Sequence, residues 1–394
     1  MRSTLPWLVL VLGCATPARA DVGSWAEGHV HGFVSQGLLS STKNNYLNES
    51  RGGDLSFTEI GVNAFADLRP GLSIGGQLFT RDLGPLGNYD VKLDWAFLDW
   101  RVRNEFGLRL GAYKLPYGLY SETADVDAVR TPILLPQSIY NLQFRDFQTS
   151  STGGDAHGSI AIPAGLLSYE LHFGWTTLKS DGSIARTLDD FGSGAWTVDD
   201  VDPIPGVGTA LIWEQPSSHV RAGLTFQRYL NGNVPIRINP LMLPPGEPTE
   251  SAWTFDQFDM QVASVEYTPG LWTLVAEYGQ WNGILGNARF PINVTDERYY
   301  VQVARELRSN LAMSTYYSVY YPDRGDRDGA AYADPNLGYS KDFALSLRVD
   351  LTSRLIAKIE GHDVHGTASL SRALNPLGMQ PRWQYLATKL SVAF

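Results

Sequence analysis

Cysteine is all but missing from these 394 residues; the single thiol is Cys14. A disulfide framework, a cysteine-based metal site and a cysteine nucleophile are therefore excluded from everything after that position. Long apolar runs are missing too. Beyond the first twenty residues no stretch approaches the ~18 to 20 consecutive apolar residues that a spanning helix requires, which excludes a helical membrane protein. Positive charge is scarce: 31 Lys and Arg face 41 Asp and Glu, for a formal net charge of −10, a balance that argues against nucleic acid as a partner. Nor is there a linker, a low-complexity tract or a break in composition, although the length exceeds that of a usual soluble domain. One large closed sheet reconciles the length with the uniformity.

What is present begins with a processing signal. Arg2 precedes the apolar run LPWLVLVLGCA, and the tripeptide ARA ending at Ala20 offers small residues for cleavage. Residues 1–20 are expected to be removed, leaving a mature chain from Asp21. A rival reading makes VLGC a lipoprotein box with Cys14 acylated, which Leu12 fits poorly. Either route takes the protein out of the cytoplasm. Loss of Arg2 and Arg19 with the signal moves the formal charge from −10 to −12.

Short turns and long loops then alternate along the chain. Tight turns recur near Pro70, Asn104, Pro163, Pro216, Pro269, Asn310 and Ser353, each built from residues that accept turn dihedrals. Between them lie longer polar stretches near 81–89, 116–152, 178–206, 230–255, 282–294 and 322–339, with end members near 40–53 and 365–382. Seven turns and eight loops make fifteen connections, hence sixteen strands with both termini on the short-turn side. Short periplasmic turns, long extracellular loops and an even strand number define a transmembrane antiparallel β-barrel. The fold class is all-β, and residues 21–394 form one barrel.

The strands agree. Ile60, Val62, Ala64 and Ala66 alternate with Glu59, Gly61, Asn63 and Asp67, and Phe343, Leu345, Leu347, Val349 and Leu351 flank Asp342, Ser346 and Arg348. In the closing stretch YLATKLSVAF, Leu386, Thr388, Leu390, Val392 and Phe394 share one side, while Tyr385, Ala387, Lys389, Ser391 and Ala393 share the other. Segments of about ten residues with one greasy face suit tilted spanning strands. Two segments break the rule. The apolar phase switches near Phe97 in DVKLDWAFLDWRVR, and FDMQVASVEY shows no clean phase; a bulge or a face covered by protein would produce either. Trp100, Trp213, Trp272, Tyr278, Tyr321 and Trp383 stand near strand ends, as aromatic girdles require.

The third long loop, 116–152, carries the functional expectation. Its apolar residues Ile133, Leu134, Leu135, Ile139 and Tyr140 would be exposed to water unless they pack on something, and the barrel interior is available. Folded inward, the loop brings Glu122, Asp125, Asp127, Arg130, Arg145 and Asp146 into the lumen as a pore constriction, with a formal charge of −2 that leans toward cations. A surface Ω-loop is the alternative. Polar strand faces add a lining of both signs: Arg109, Arg221, Arg348, Lys358 and Lys389 against Glu59, Asp67, Glu170, Glu277, Asp342 and Glu360. Charged rings tune pore selectivity, and a mixed lining predicts a weak one.

A resemblance rests on the same region. LRLGAYKLPYGLYSETADVDAVRTPILLPQSIY, with SQGLLSSTKNNYLNES and LDWAFLDWR upstream, resembles a family of Gram-negative outer-membrane porin-like proteins grouped near the phosphate-selective porins. The similarity is densest over residues 32–146. It implies a 16-stranded, homotrimeric porin with an inward third loop, and a terminal strand ending in Phe394 that the barrel-assembly machinery reads. Phosphate selectivity in that family goes with lysine clusters at the constriction, whereas this loop has no lysine and only Lys114 just before it.

Lesser features are GHDVHG, with His362, Asp363 and His365 as a metal or hydrolase fragment lacking a placed partner, His29 and His31 on one strand face, the acidic DDVDP at Asp199, and RGD at Arg324. Solvated loop charges, or divalent cations shared with lipopolysaccharide, account for the acidic stretch. No cofactor or metal is called for. The reading is a non-enzymatic outer-membrane channel for small hydrophilic solutes or ions, in contact with lipid and lipopolysaccharide. An outer-membrane hydrolase on a smaller barrel and a secreted glycan-binding β-sandwich stand as alternatives.

Overall fold

The computed structural model describes residues 27–149, 151–180, 182–192, 194–286 and 291–394. The leader, with Cys14 and the cleavage point after Ala20, lies outside the described residues. Among the described residues, eighteen strands form one sheet. In chain order they are β1 (Glu27–Ser41), β2 (Thr58–Arg69), β3 (Leu72–Asp82), β4 (Lys92–Arg103), β5 (Phe106–Tyr113), β6 (Ser151–Ile162), β7 (Gly165–Leu178), β8 (Trp196–Val198), β9 (Val201–Gln215), β10 (Val220–Ile238), β11 (Glu250–Tyr267), β12 (Trp272–Gly286), β13 (Pro291–Thr295), β14 (Glu297–Arg308), β15 (Leu311–Tyr321), β16 (Ser340–Asp350), β17 (Leu355–Gly366) and β18 (Arg382–Ala393). Two are short additions in the loops: β8 pairs with the far end of β10, and β13 folds back on β12. The other sixteen are staves, each antiparallel to its chain neighbours, and β18 closes on β1 with Ser35 opposite Ser391.

The alternation in sequence becomes an inside and an outside. On β16, Leu345 is 51% exposed and its neighbour Ala344 0%; on β18, Leu390 is 43% exposed and Lys389 3%. The exposed residues are the apolar ones, the reverse of a soluble sheet and the pattern of a barrel whose outer wall faces hydrocarbon. Trp100, Trp272 and Tyr278 are exposed near strand ends, whereas Trp383 and Tyr321 are buried. Trp383 lies on the same face as Tyr385 and stacks with it at 5.5 Å, so it belongs to the interior rather than to a girdle.

Both irregular segments have local causes. In β4, Leu93 pairs with Leu78 but Trp95 with Gln77, so Asp94 is a bulge that turns an extra side chain inward. Inside, Trp95 meets Phe65 at 4.9 Å and Phe97 at 5.2 Å, an aromatic cluster on the lumen wall. In β11, Phe258, Met260 and Val262 are buried inward, while Asp259 pairs outward with Arg228 at 2.7 Å. An inner face covered by protein demands apolar residues, which erases the usual phase. The expected loop 230–255 is mostly strand: β10 and β11 continue as a paired hairpin beyond Leu230, with Val234, Ile236, Ile238, Trp253 and Phe255 buried. Asn231 and Gly232 read as a turn; Asn231 takes φ 49 yet the pairing resumes beyond it. The helix α2 (Ser183–Gly192) brings Ile184 and Ala185 into the same buried cluster.

Candidate functional site

A loop that leaves the surface carries its backbone donors and acceptors with it, and each needs a partner. The third loop, described over 114–149, finds them on the inner barrel wall. Gly118 N–H donates to Thr225 Oγ1 at 3.0 Å and Leu119 N–H to Glu277 Oε1 at 2.8 Å. Across the lumen, Ile133 and Leu134 donate their N–H groups to the Glu360 carboxylate at 2.7 and 3.0 Å. Lys358 Nζ donates to the carbonyls of Asp127, Arg130 and Pro132 at 2.8 to 3.1 Å. Ser318 Oγ donates to Ser138 Oγ at 2.8 Å, and Tyr140 Oη to Glu277 Oε2 at 2.6 Å. The loop therefore spans from β10 and β12 to β15 and β17. Its apolar residues Ile133, Leu134, Leu135, Ile139 and Tyr140 are all buried.

Four of the expected constriction residues converge with wall charges in one buried network. Asp125 accepts from Arg145 at 2.7 Å and Lys114 at 3.0 Å, and lies 3.4 Å from Arg81; Arg145 also reaches Asp94 at 3.0 Å. Asp127 is 2.8 Å from Lys389, 3.2 Å from Arg130 and 3.8 Å from Lys358. Glu59 links the halves, pairing with Lys389 and Arg81 at 2.5 Å each. Burial alone would raise the Asp125 carboxyl, but Arg145, Lys114 and Arg81 outweigh it and hold it well below the usual carboxylate range. Asp127 is likewise buried and held low by Lys389, Lys358 and Arg130. Six cations meet four carboxylates here. The charges added by the wall and Lys114 thus offset the negative sum that the loop carries on its own.

The remaining expected residues take other places. Glu122 is exposed; Asp146 belongs to the short helix α1 (Arg145–Thr149), and its side chain lies outside the described residues. Arg109 sits among Asp155 at 3.5 Å, Asp99 at 3.9 Å and Glu170 at 4.0 Å, with its guanidinium 4.8 Å from the Phe97 ring. Arg221 donates to the Leu119 carbonyl, and Arg348 to the carbonyls of Ala128 and Arg130. Glu277, Glu360 and Lys358 lie beneath the loop as its anchors. Sequence reasoning missed Arg81, Asp94 and Ser318. Arg81 stands at a strand end and read as loop, and Asp94 faces inward only because of the bulge. Strand parity applied to β3 would have placed Arg81 beside Glu59, its register partner.

The loop separates two chambers. Toward the short turns lies a cavity of about 670 Å³, lined by Arg101, Arg103, Glu105, Glu122, Glu170 and Arg221 among others. Toward the long loops lies an apolar one of about 320 Å³. A separate cavity of about 40 Å³, room for only a few waters, lies among Glu59, Asp125, Arg145 and Lys389. His362 is buried between Asp342 and Glu360, whereas Asp363 bonds to Gln384 on the opposite, outward face, so the GHDVHG side chains do not converge. Among the described residues no group of three or more His, Cys, Asp or Glu could hold a metal ion.

No family model matches the sequence, and no curated protein matches it. Solved structures do. OmpF of Salmonella typhi, solved with daunomycin, is similar at a TM-score of 0.59 and 13% identity, over 94% of this chain and 98% of that one. The outer-membrane channel DcaP of Acinetobacter baumannii is similar at 0.55 and 11%, over 96% and 100%. The fold is that of an outer-membrane porin. An anion-selective porin from Comamonas acidovorans is similar at 0.53 and 12%, covering 94% of this chain and 100% of that chain. At these identities the porin likeness is one of architecture: sixteen staves, closed, of Gram-negative outer-membrane type.

Proposed function

We propose that this porin fold works as a passive diffusion channel of the outer membrane, in which small hydrophilic solutes or ions cross a water-filled lumen and the third loop filters them. The observation that carries the reading is the loop pinned across the lumen between two chambers. No chemical step is involved. A glycan-binding sandwich would need two packed sheets, and the protein is one closed sheet. A hydrolase using His362 and Asp363 would need both on one face, and strand parity places them on opposite faces.

Selectivity follows the charges that remain open to the lumen. The larger chamber presents Arg101, Arg103 and Arg221 against Glu105, Glu122, Glu170 and Glu214, a near balance that supports weak ion preference. Lys358 and Lys389, the nearest equivalent of a lysine cluster, are engaged by loop carbonyls and carboxylates, so phosphate is not proposed as the solute. A homotrimer is proposed from the outer wall of β2–β5. There Ala64, Gly76, Ala96 and Ala112 pair in one continuous row, a smooth apolar surface for a neighbouring copy. Phe394 is proposed as the signal that the assembly machinery reads, and lipid and lipopolysaccharide as the partners of the outer wall. Purified protein in planar bilayers under a salt gradient should give ohmic current steps with a zero-current potential close to zero. Folded protein that inserts and carries no current would end this reading.

A further inference from the structure

The chamber on the long-loop side is the unexpected part of this molecule. A channel for hydrophilic solutes has reason to be polar at its mouth, yet this cavity of about 320 Å³ is lined by the rings of Phe144, Phe147, Phe255, Phe258 and Trp281 together with aliphatic side chains from the surrounding strands and loops. The rings meet edge to face: Phe144 and Trp281 at 5.2 Å and 76°, Phe258 and Trp281 at 5.8 Å and 76°. That arrangement leaves ring edges and faces for a further aromatic partner. Leu188 of α2 and Leu337 of the seventh loop lie on its wall, and the third, fourth, sixth, seventh and eighth loops all contribute to it.

The charges at its border cancel. Arg298 lies 3.6 Å over the Trp281 ring and pairs with Asp296, and Arg372 and Asp190 border the same space. An ion would find no net attraction and would lose hydration to the apolar walls. An aliphatic chain would gain burial but not ring contacts. A pocket of this volume lies near the lower end for small-molecule sites, which are mostly apolar with a few placed polar groups.

We propose that this chamber is a binding site for an uncharged aromatic compound of one or two rings, held above the third loop before passage. The inference rests on the channel reading for its direction of travel, but not for the binding itself. Full-length protein in detergent, titrated calorimetrically with 2-naphthol, should show saturable binding to one site per chain, with inorganic phosphate and glucose giving none. Leu188→Trp, which fills the cavity, should weaken 2-naphthol at least tenfold, and Leu337→Arg, on a different loop, should do the same. Heat-modifiable gel mobility shows that each variant is folded, and if one fails to fold the other decides. Naphthol heats unchanged by either folded variant would mean partition into detergent and would overturn the site. A linear alcohol of equal carbon number binding as tightly would overturn the aromatic assignment. Salt conductance measured on the same preparation separates the two readings: current without naphthol binding refutes this site alone, and binding without current refutes the channel alone.

Discussion

Gly118 occupies a backbone position with φ +64, where a Cβ would run into the Tyr140 hydroxyl and Glu277 Oε1. It stands next to Leu119, whose N–H bonds Glu277, so the glycine lets the loop's first turn lie directly on the wall. Gly118→Ala is expected to loosen that end of the loop and to raise single-channel noise; noise equal to wild type would show that the turn tolerates a side chain. At the opposite anchor, Glu360 accepts from two backbone N–H groups, from Ser346 and from His362. Each bond to a charged group contributes about 1.5 to 3 kcal/mol, so Glu360→Ala should release the loop more than Glu360→Gln, which keeps one acceptor. Protease cleavage within 122–145 reports the order. Acid acts through Asp125 and Asp127, whose carboxyls are held below the ordinary value. Stability from such groups is present above about pH 4 and is lost as pH falls through the depressed values. Conductance fluctuations assigned to the loop should therefore be the same at pH 7 and pH 5 and increase only in stronger acid. Asp127→Asn should show the acid behaviour already at pH 7.

At the scale of elements, strands were legible and the loop's partners were not. Period-two alternation is a local property, so β16 and β18 could be read with their facing intact: Leu386 and Leu390 outward, Ala387 and Lys389 inward. Leu390→Arg near the midplane should accordingly cost about 2 to 4 kcal/mol, measured by urea-dependent unfolding in lipid, while Lys389→Arg should assemble. Assembly of the first and failure of Ala387→Arg would reverse the facing. The upper parts of β10 and β11 misled because a turn-like Asn231 interrupts a hairpin whose inner face is covered by other loops. The loop's charges were legible as residues, but their partners lie on other strands: Arg81 and Asp94 are 44 and 51 residues away on β3 and β4, and Lys389 stands on the last strand, which only closure of the barrel brings near. Ser138 and Ser318 are likewise distant in the chain, 180 residues apart with 2.8 Å between hydroxyl oxygens. Ser138→Cys with Ser318→Cys in the mature chain should oxidise to a disulfide that pins the loop, visible as a mobility shift on a non-reducing denaturing gel. Two thiols that stay free would place the loop elsewhere.

For the whole molecule, the rhythm of turns and loops sets orientation. Tags near Asp189, Pro244 or Asp328 should be reached by antibody on intact cells, and tags at Pro163 or Ser353 should not; the opposite pattern would invert the barrel. The deeper claim is that the loop, held by wall residues from β10 to β18, sets what passes. The cavity among Glu59, Asp125, Arg145 and Lys389 at the loop holds about 40 Å³, and the chamber on the short-turn side about 670 Å³. The direct measurement is single-channel conductance of the wild type beside a variant in which residues 122–145 are replaced by a short Gly-Ser bridge, both shown to be folded by heat-modifiable mobility. A severalfold rise in conductance, with loss of discrimination between small and large solutes, is the predicted result. An assembled, loop-shortened barrel that conducts as the wild type does would contradict the account, because the narrowest part of the path would then lie somewhere other than the third loop.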